Sequence, residues 1–106
     1  SFLSVGDWGG ANVGYSANVY AVSQQMATTA TSLNAQFIIG VGDNFYWCGI
    51  QNTSDPQIDV DYVQPYNVAA LQVPWYHTLG NHEYGYNVDA QVLYTKQSNT
   101  WNMPSR

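Results

Sequence analysis

Three short apolar runs, Phe2 to Val5, Phe37 to Val41 and Val73 to Leu79, each end in a glycine-bearing turn that carries oxygen or imidazole side chains. The turns are Gly6-Asp7-Trp8-Gly9, Gly42-Asp43-Asn44-Phe45-Tyr46 and Gly80-Asn81-His82-Glu83. Apolar runs of this length bounded by turn residues read as strands. Open α/β sheets assemble their sites just past the carboxyl ends of such strands. Packing alone gives no reason for three strand ends to finish in metal-type donors, so the chain is restricted to folds in which those ends meet.

The segments between the runs fit that restriction. From about Ser16, placed at the N-cap, Val19, Val22, Met26, Ala30 and Leu33 recur at spacings of three and four, the stripe of an amphipathic helix. The unbroken run from Phe37 to Val41 reads as a strand covered on both faces. Gly49 to about Gln57 reads as loop, with Asp55-Pro56 as its turn signal. Residues 58–70 carry no single pattern, and Pro65 breaks any long helix there. Asn87 can cap a short helix from Val88 to Lys96. The order β-α-β-α-β-α predicts an α/β fold with a parallel sheet and right-handed crossovers. Residues 1–106 amount to one small domain at most.

Charge narrows the partners. The net charge is −5, with only Lys96 and Arg106 positive, so no basic face exists for nucleic acid. An anionic substrate would be repelled unless bound cations reversed the local field. Only 8% of residues are charged, and the polarity comes instead from Asn, Gln, Ser, Thr and Tyr. That balance is more common in proteins working outside the cytoplasm. No stretch approaches the ~20 apolar residues that span a bilayer, so no membrane partner is expected. Cys48 is the only cysteine, which excludes a disulfide within the chain.

Two ionised carboxylates, Asp7 and Asp43, crowded at neighbouring strand ends would repel and lose hydration unless a cation lay between them. The competing assignment makes Asp7 a helix cap and Asp43 a turn cap. Asn81 offers a neutral oxygen ligand suited to a divalent ion. His82 can be a ligand or an acid–base group; an Asn-His pair in a glycine turn also serves plain turn geometry. Tyr46 needs a strong Lewis acid to lose its proton, because a free phenol titrates near ~10. Otherwise it packs among Phe45, Trp47 and Trp8.

The set Gly6-Asp7-Trp8-Gly9-Gly10, Gly42-Asp43-Asn44-Phe45-Tyr46, Val73-Pro74-Trp75-Tyr76 and Gly80-Asn81-His82-Glu83 closely resembles the purple acid phosphatases of the small, tartrate-resistant type, within the calcineurin-like metallophosphoesterases. Ala90-Gln91 through Tyr94, and then Trp101-Asn102-Met103-Pro104, resemble that type as well. General metallophosphoesterases carry a histidine two residues after the first Asp, where this chain has Gly9. They lack the tyrosine three residues after the second Asp, which is Tyr46 here. One ligand is dropped and another supplied, as in the purple subgroup.

The resemblance implies a four-layer αββα sandwich and hydrolysis of phosphate monoesters by a di-metal centre; with the composition, it also implies a secreted, lysosomal or vacuolar protein. It assigns Asp7 and Tyr46 to a ferric ion, Asp43 to both ions, Asn81 to a divalent iron, zinc or manganese ion, and His82 to the phosphoryl group and leaving oxygen. The family also uses a later histidine and a Gly-His-x-His segment. This chain has only two histidines, and His77 reads as structural. The expectation is therefore the N-terminal portion of a phosphatase domain, inactive alone, needing the C-terminal half, with a sheet face exposed around Phe37 to Val41. The alternatives are a non-catalytic scaffold remnant and an enzyme acting on phosphodiesters or nucleotides. A dinucleotide site is excluded because Gly6 to Gly10 lacks the G-x-G-x-x-G spacing. Asn52-Thr53-Ser54 fits the N-glycosylation acceptor pattern.

Overall fold

The computed structural model describes all 106 residues. Four parallel strands form one sheet in the order β1-β2-β3-β4: β1 is Phe2–Val5, β2 Phe37–Gly40, β3 Trp75–His77 and β4 Trp101–Asn102. The register pairs Leu3 with Ile38 and Ile38 with Trp75, and Trp75 then pairs with Trp101. With strands in sequential order, right-handed crossovers bring every connection to one face. Accordingly Val19, Met26 and Ala30 of α1 (Ser16–Leu33), Leu71 of a 3₁₀ turn and Ala90 of α2 (Val88–Tyr94) share one core with Ile38, Trp75 and Trp101.

The opposite face carries no covering layer. Phe2, Phe37, Ile39 and Tyr76 lie on it, with the Phe2 and Phe37 rings stacked at 5.1 Å and Tyr76 edge-on to Phe37 at 5.9 Å. Phe2, Tyr76 and Val41 are exposed. The reading of β2 as covered on both faces therefore holds for Ile38 and not for Phe37 or Ile39, which are only half-buried.

Details of the elements depart from the sequence reading for identifiable reasons. The buried stripe of α1 is Val19, Ser23, Met26 and Ala30, while Val22 and Leu33 are exposed. Ser23 can be buried because its hydroxyl donates to the Tyr20 carbonyl at 2.9 Å. Tyr15, not Ser16, holds the N-cap position. Asn34 ends the helix in the left-handed region at φ 51°, and its N–H reaches the carbonyls of Ala30 and Thr31. The connection between β2 and β3 carries one short helical segment, α-type at Pro56 and Gln57 and then π-type over Ile58–Val63, followed by a 3₁₀ turn, Ala69–Leu71. β3 is shorter than the apolar run that contains it. β4 has no counterpart in the sequence reading, because two residues after a polar turn carry no period.

The core is aromatic, and its hub is Trp8. This indole lies 5.4–6.2 Å from the rings of Phe45, Tyr62, Tyr66, Trp75, His77 and Trp101. His77 is structural in this setting: its ring stacks on Trp101 at 3.6 Å and neither ring nitrogen has a partner. Burial lowers its pKa to about 3. Asp61 is also fully buried, accepting the Asn12 N–H at 2.8 Å, and burial pushes its carboxyl up to about 6.

These two groups act on stability with opposite sign. Burial of neutral His77 contributes fully above ~6.5, the unfolded value, and that contribution is lost as pH falls towards 3. Burial of protonated Asp61 contributes fully below ~3.9 and is lost as pH rises towards 6. Between pH 4 and 6 the two slopes offset each other. Removing Asp61 as Asn therefore makes stability rise with pH across that window, relative to wild type, by up to about 1.4 kcal/mol per pH unit. Removing His77 as Phe makes it fall. Urea midpoints at pH 4, 5 and 6 for the three proteins check both signs.

Candidate metal centre

Asp7 and Asp43 each follow the glycine that closes a strand, and each adopts the left-handed region, φ 53° and φ 51°. For a residue with a Cβ this costs roughly 1–2 kcal/mol. The backbone meets that cost at both carboxylates, and such outliers cluster where function constrains geometry. Asp7 caps no helix, against the competing assignment, whereas Asp43 does accept an N–H at the start of a turn. The Asp7 Oδ1 accepts the Tyr46 hydroxyl at 2.7 Å. The Asp43 Oδ1 accepts the N–H of His82 at 3.2 Å, at the start of the 3₁₀ turn His82–Gly85.

The turns touch through backbone, which only glycine permits. A Cβ on Gly9 would stand 1.7 Å from the Asn44 carbonyl oxygen, so a histidine there is excluded by the packing of one turn on the other. Likewise a Cβ on Gly80 would meet the Asp43 Oδ1 at 2.1 Å. Asp7, Asp43, Tyr46 and His82 thereby gather at one end of the sheet, with the Tyr46 and His82 rings 4.7 Å apart. The His82 Nδ1 lies 2.6 Å from the Trp47 carbonyl. Asn81 is exposed at the head of the 3₁₀ turn, and its side chain bonds to none of the others.

Glu83 organises this end of the molecule, and the sequence reading gave it no role. Its carboxylate is fully buried and accepts the N–H groups of Asp43 at 3.0 Å, Asn44 at 2.6 Å and Phe45 at 3.1 Å, with Gly80 as a fourth donor. No cation pairs with it; backbone dipoles alone hold the charge. The signal available in sequence was an acidic residue directly after Asn-His, three residues from a glycine. A second overlooked link is Asn12. Its N–H is fixed by Asp61, and its side-chain amide reaches the Gln57 Oε1 at 3.0 Å and the Tyr46 carbonyl at 3.4 Å.

The electrostatics are one-sided. Burial comes first in raising the Tyr46 phenol above its ordinary value, followed by its hydrogen bond to Asp7 and the charges of Asp43, Asp7 and Glu83. Arg106 is engaged with Asp89 at 2.8 Å on the surface, which leaves Lys96 as the other cation of the chain. Two carboxylates, Asp7 and Asp43, with a phenol hydrogen-bonded to the first suit a hard, highly charged cation, which would neutralise the crowding and favour the phenolate. The donor chemistry fits such an ion. The coordination shell is incomplete, because no three His, Cys, Asp or Glu side chains converge as a ligand set.

The calcineurin-like phosphoesterase family model matches residues 1–105. The chain is 40% identical over 107 residues to tartrate-resistant acid phosphatase type 5 of Oryctolagus cuniculus, covering 98% of this chain and 33% of that protein. It is 39% identical to the Homo sapiens protein of the same name, with the same coverage. It is also 39% identical over 101 residues to purple acid phosphatase 7 of Arabidopsis thaliana, covering 95% of this chain and 30% of the relative. Among solved structures it superposes with a TM-score of 0.80 and 25% identity on GAP50, the anchor in the inner membrane complex of Plasmodium, covering 98% of this chain and 33% of that one. The chain thus spans about a third of the length of the curated relatives it matches.

Replacing Glu83 with Gln turns one acceptor oxygen into a donor facing backbone N–H groups. The expected loss is about 2–4 kcal/mol of unfolding free energy. Asp89→Asn, which breaks only the exposed pair with Arg106, is expected to cost less than about 1 kcal/mol. Urea unfolding of both variants checks the contrast, and equal costs would remove Glu83 from its organising position.

Proposed function

The chain belongs to the calcineurin-like phosphoesterase family, and from that premise we propose that it supplies one side of a two-metal centre hydrolysing phosphate monoesters, the acid phosphatase reaction. The observation that carries this reading is the pair of left-handed aspartates on touching turns, with the Tyr46 hydroxyl on Asp7. In this reading Asp7 and Tyr46 hold a ferric ion, Asp43 serves both ions, and Asn81 serves the second, a divalent iron, zinc or manganese. When bound, the two ions supply Lewis-acid polarisation of the ester and a nucleophile for in-line attack on phosphorus. The remaining ligands, a single histidine and a Gly-His-x-His segment, come from the rest of a domain as long as that of the relatives.

The chain's own residues account for the proton. A carbonyl only accepts, so the contact with Trp47 places the hydrogen of His82 on Nδ1 and fixes the ring. Nε2 is then the free nitrogen, and in the imidazolium it donates to the phosphoryl group and to the departing alkoxide. Exclusion of a side chain at position 9 keeps the first turn against the second, so that Asp7 and Tyr46 stay paired. The acidic surroundings repel a free anion, and cations at the ligand cluster reverse that field where the substrate phosphate docks.

A second reading, a non-catalytic scaffold, is supported by the structural neighbour, which is described as an anchor. The two separate in the protein that carries the whole domain. Loaded with iron, it is expected to show a visible tyrosinate-to-iron band that disappears in Tyr46→Phe. It should hydrolyse a phosphate monoester in preference to a diester, and His82→Ala should lower kcat about 10²–10⁴-fold. A colourless protein with full activity overturns the ferric assignment. Metal-loaded protein inert towards monoesters overturns the enzyme in favour of the scaffold, and a preference for diesters changes the substrate class.

A further inference from the structure

One motif takes no part in the candidate metal centre. Asn52-Thr53-Ser54 is the only place where any asparagine of the chain is followed by a residue other than proline and then by serine or threonine. The pattern alone is weak, because it recurs by chance. The structure adds what the pattern lacks, namely the placement of the acceptor nitrogen and the order of the loop around it.

Asn52 is exposed. Its Oδ1 accepts the N–H of Ser54 at 2.8 Å, and no hydrogen bond holds its Nδ2. The amide oxygen is thus turned inward and the amide nitrogen is left to solvent. Ser54 is exposed as well, and its hydroxyl makes no internal bond. The loop around them is held in place. Gln51 N–H donates to the Asp55 carboxylate at 2.8 Å, and Asp55 N–H donates to the Asn52 carbonyl at 3.2 Å. The Gln97 amide reaches the Thr53 hydroxyl at 3.0 Å, and the Asn87 side chain reaches the Gln51 carbonyl at 3.3 Å. All of these contacts use the carbonyl side of Asn52 or its neighbours, so a large group on Nδ2 disturbs none of them.

We propose that Asn52 is an N-glycosylation site. In the transfer, Nδ2 forms a bond to the anomeric carbon of an oligosaccharide carried on a polyisoprenyl pyrophosphate. The bond from that carbon to the pyrophosphate oxygen breaks, the lipid pyrophosphate leaves, and Nδ2 gives up one proton. Serine or threonine two residues on is the acceptor requirement, and a bulky, solubilising glycan demands a surface position in the folded product. The site implies passage through the secretory lumen. It is independent of the phosphatase reading, since it uses no candidate metal ligand.

The test is peptide mapping of the natural protein, treated with peptide-N-glycosidase in heavy-oxygen water. Enzymatic release converts a glycosylated asparagine to aspartate labelled with heavy oxygen. The expected result is that label at position 52, with the unlabelled peptide a minor species. In a eukaryotic secretory host, Asn52→Gln and Ser54→Ala should each remove the same glycosidase-sensitive mobility shift, while Thr53→Ala keeps it. An unlabelled Asn52 in the natural protein overturns the proposal, as does a shift that survives in both Asn52→Gln and Ser54→Ala.

Discussion

A buried carboxylate without a cation is the constraint on which the rest of this structure depends. Glu83 draws four backbone N–H groups to itself, three from the turn after β2 and one from the turn after β3. Stripping a carboxylate of water is tolerated only where donors replace the lost hydration. The two turns therefore have one mutual arrangement that satisfies Glu83, and loss of any donor leaves the charge underserved. That arrangement places Gly80 against Asp43 and aligns the His82 N–H with the Asp43 carboxylate. The first turn is then fixed by contact with the second through Gly9 and Asn44.

The arrangement concentrates negative charge in a protein already at −5. Asp7, Asp43 and Glu83 all oppose ionisation of Tyr46. A structure selected only for stability would place one of its cations there or separate the acids, since unpaired like charges in a partly buried cleft cost free energy. This chain instead engages Arg106 with Asp89 on the surface. The cleft thus gathers more negative charge than the chain's own cations compensate.

Much of this was legible in the sequence. Three apolar runs ending in glycine turns located the strands and the end of the sheet where the donors meet. The residues that mislead are those whose environment overrides their type. Ser23 occupies the core stripe in place of Val22 because its own helix satisfies the hydroxyl. β4 escaped because its order comes from Ser98, whose Oγ accepts the N–H groups of Thr100 and Trp101, and not from periodicity. Glu83 and Asp61 escaped for a deeper reason. A buried carboxylate is recognised by the backbone groups that surround it, and here all of those groups but the Gly80 N–H lie about forty residues or more away in sequence.

Four of the five candidate site residues, all but Asn81, are also neighbours of a buried anchor. Asp7 precedes Trp8, the aromatic hub; Asp43 precedes Asn44; Tyr46 follows Phe45; and His82 precedes Glu83. All four anchors are almost fully enclosed, and two of them are polar. Asn44 contributes by donating from its amide to the Thr78 carbonyl at 2.9 Å and to the Gln91 side chain at 3.0 Å, which ties the second turn to α2. An anchor on the adjacent residue restricts each donor's position far more than a loop alone can. The left-handed backbone at Asp7 and Asp43 then turns each carboxylate out of the core while its neighbour stays in. Positional precision at the cleft is therefore a property of the core, and the strained aspartates are tolerated because the anchor beside each has no other place to go.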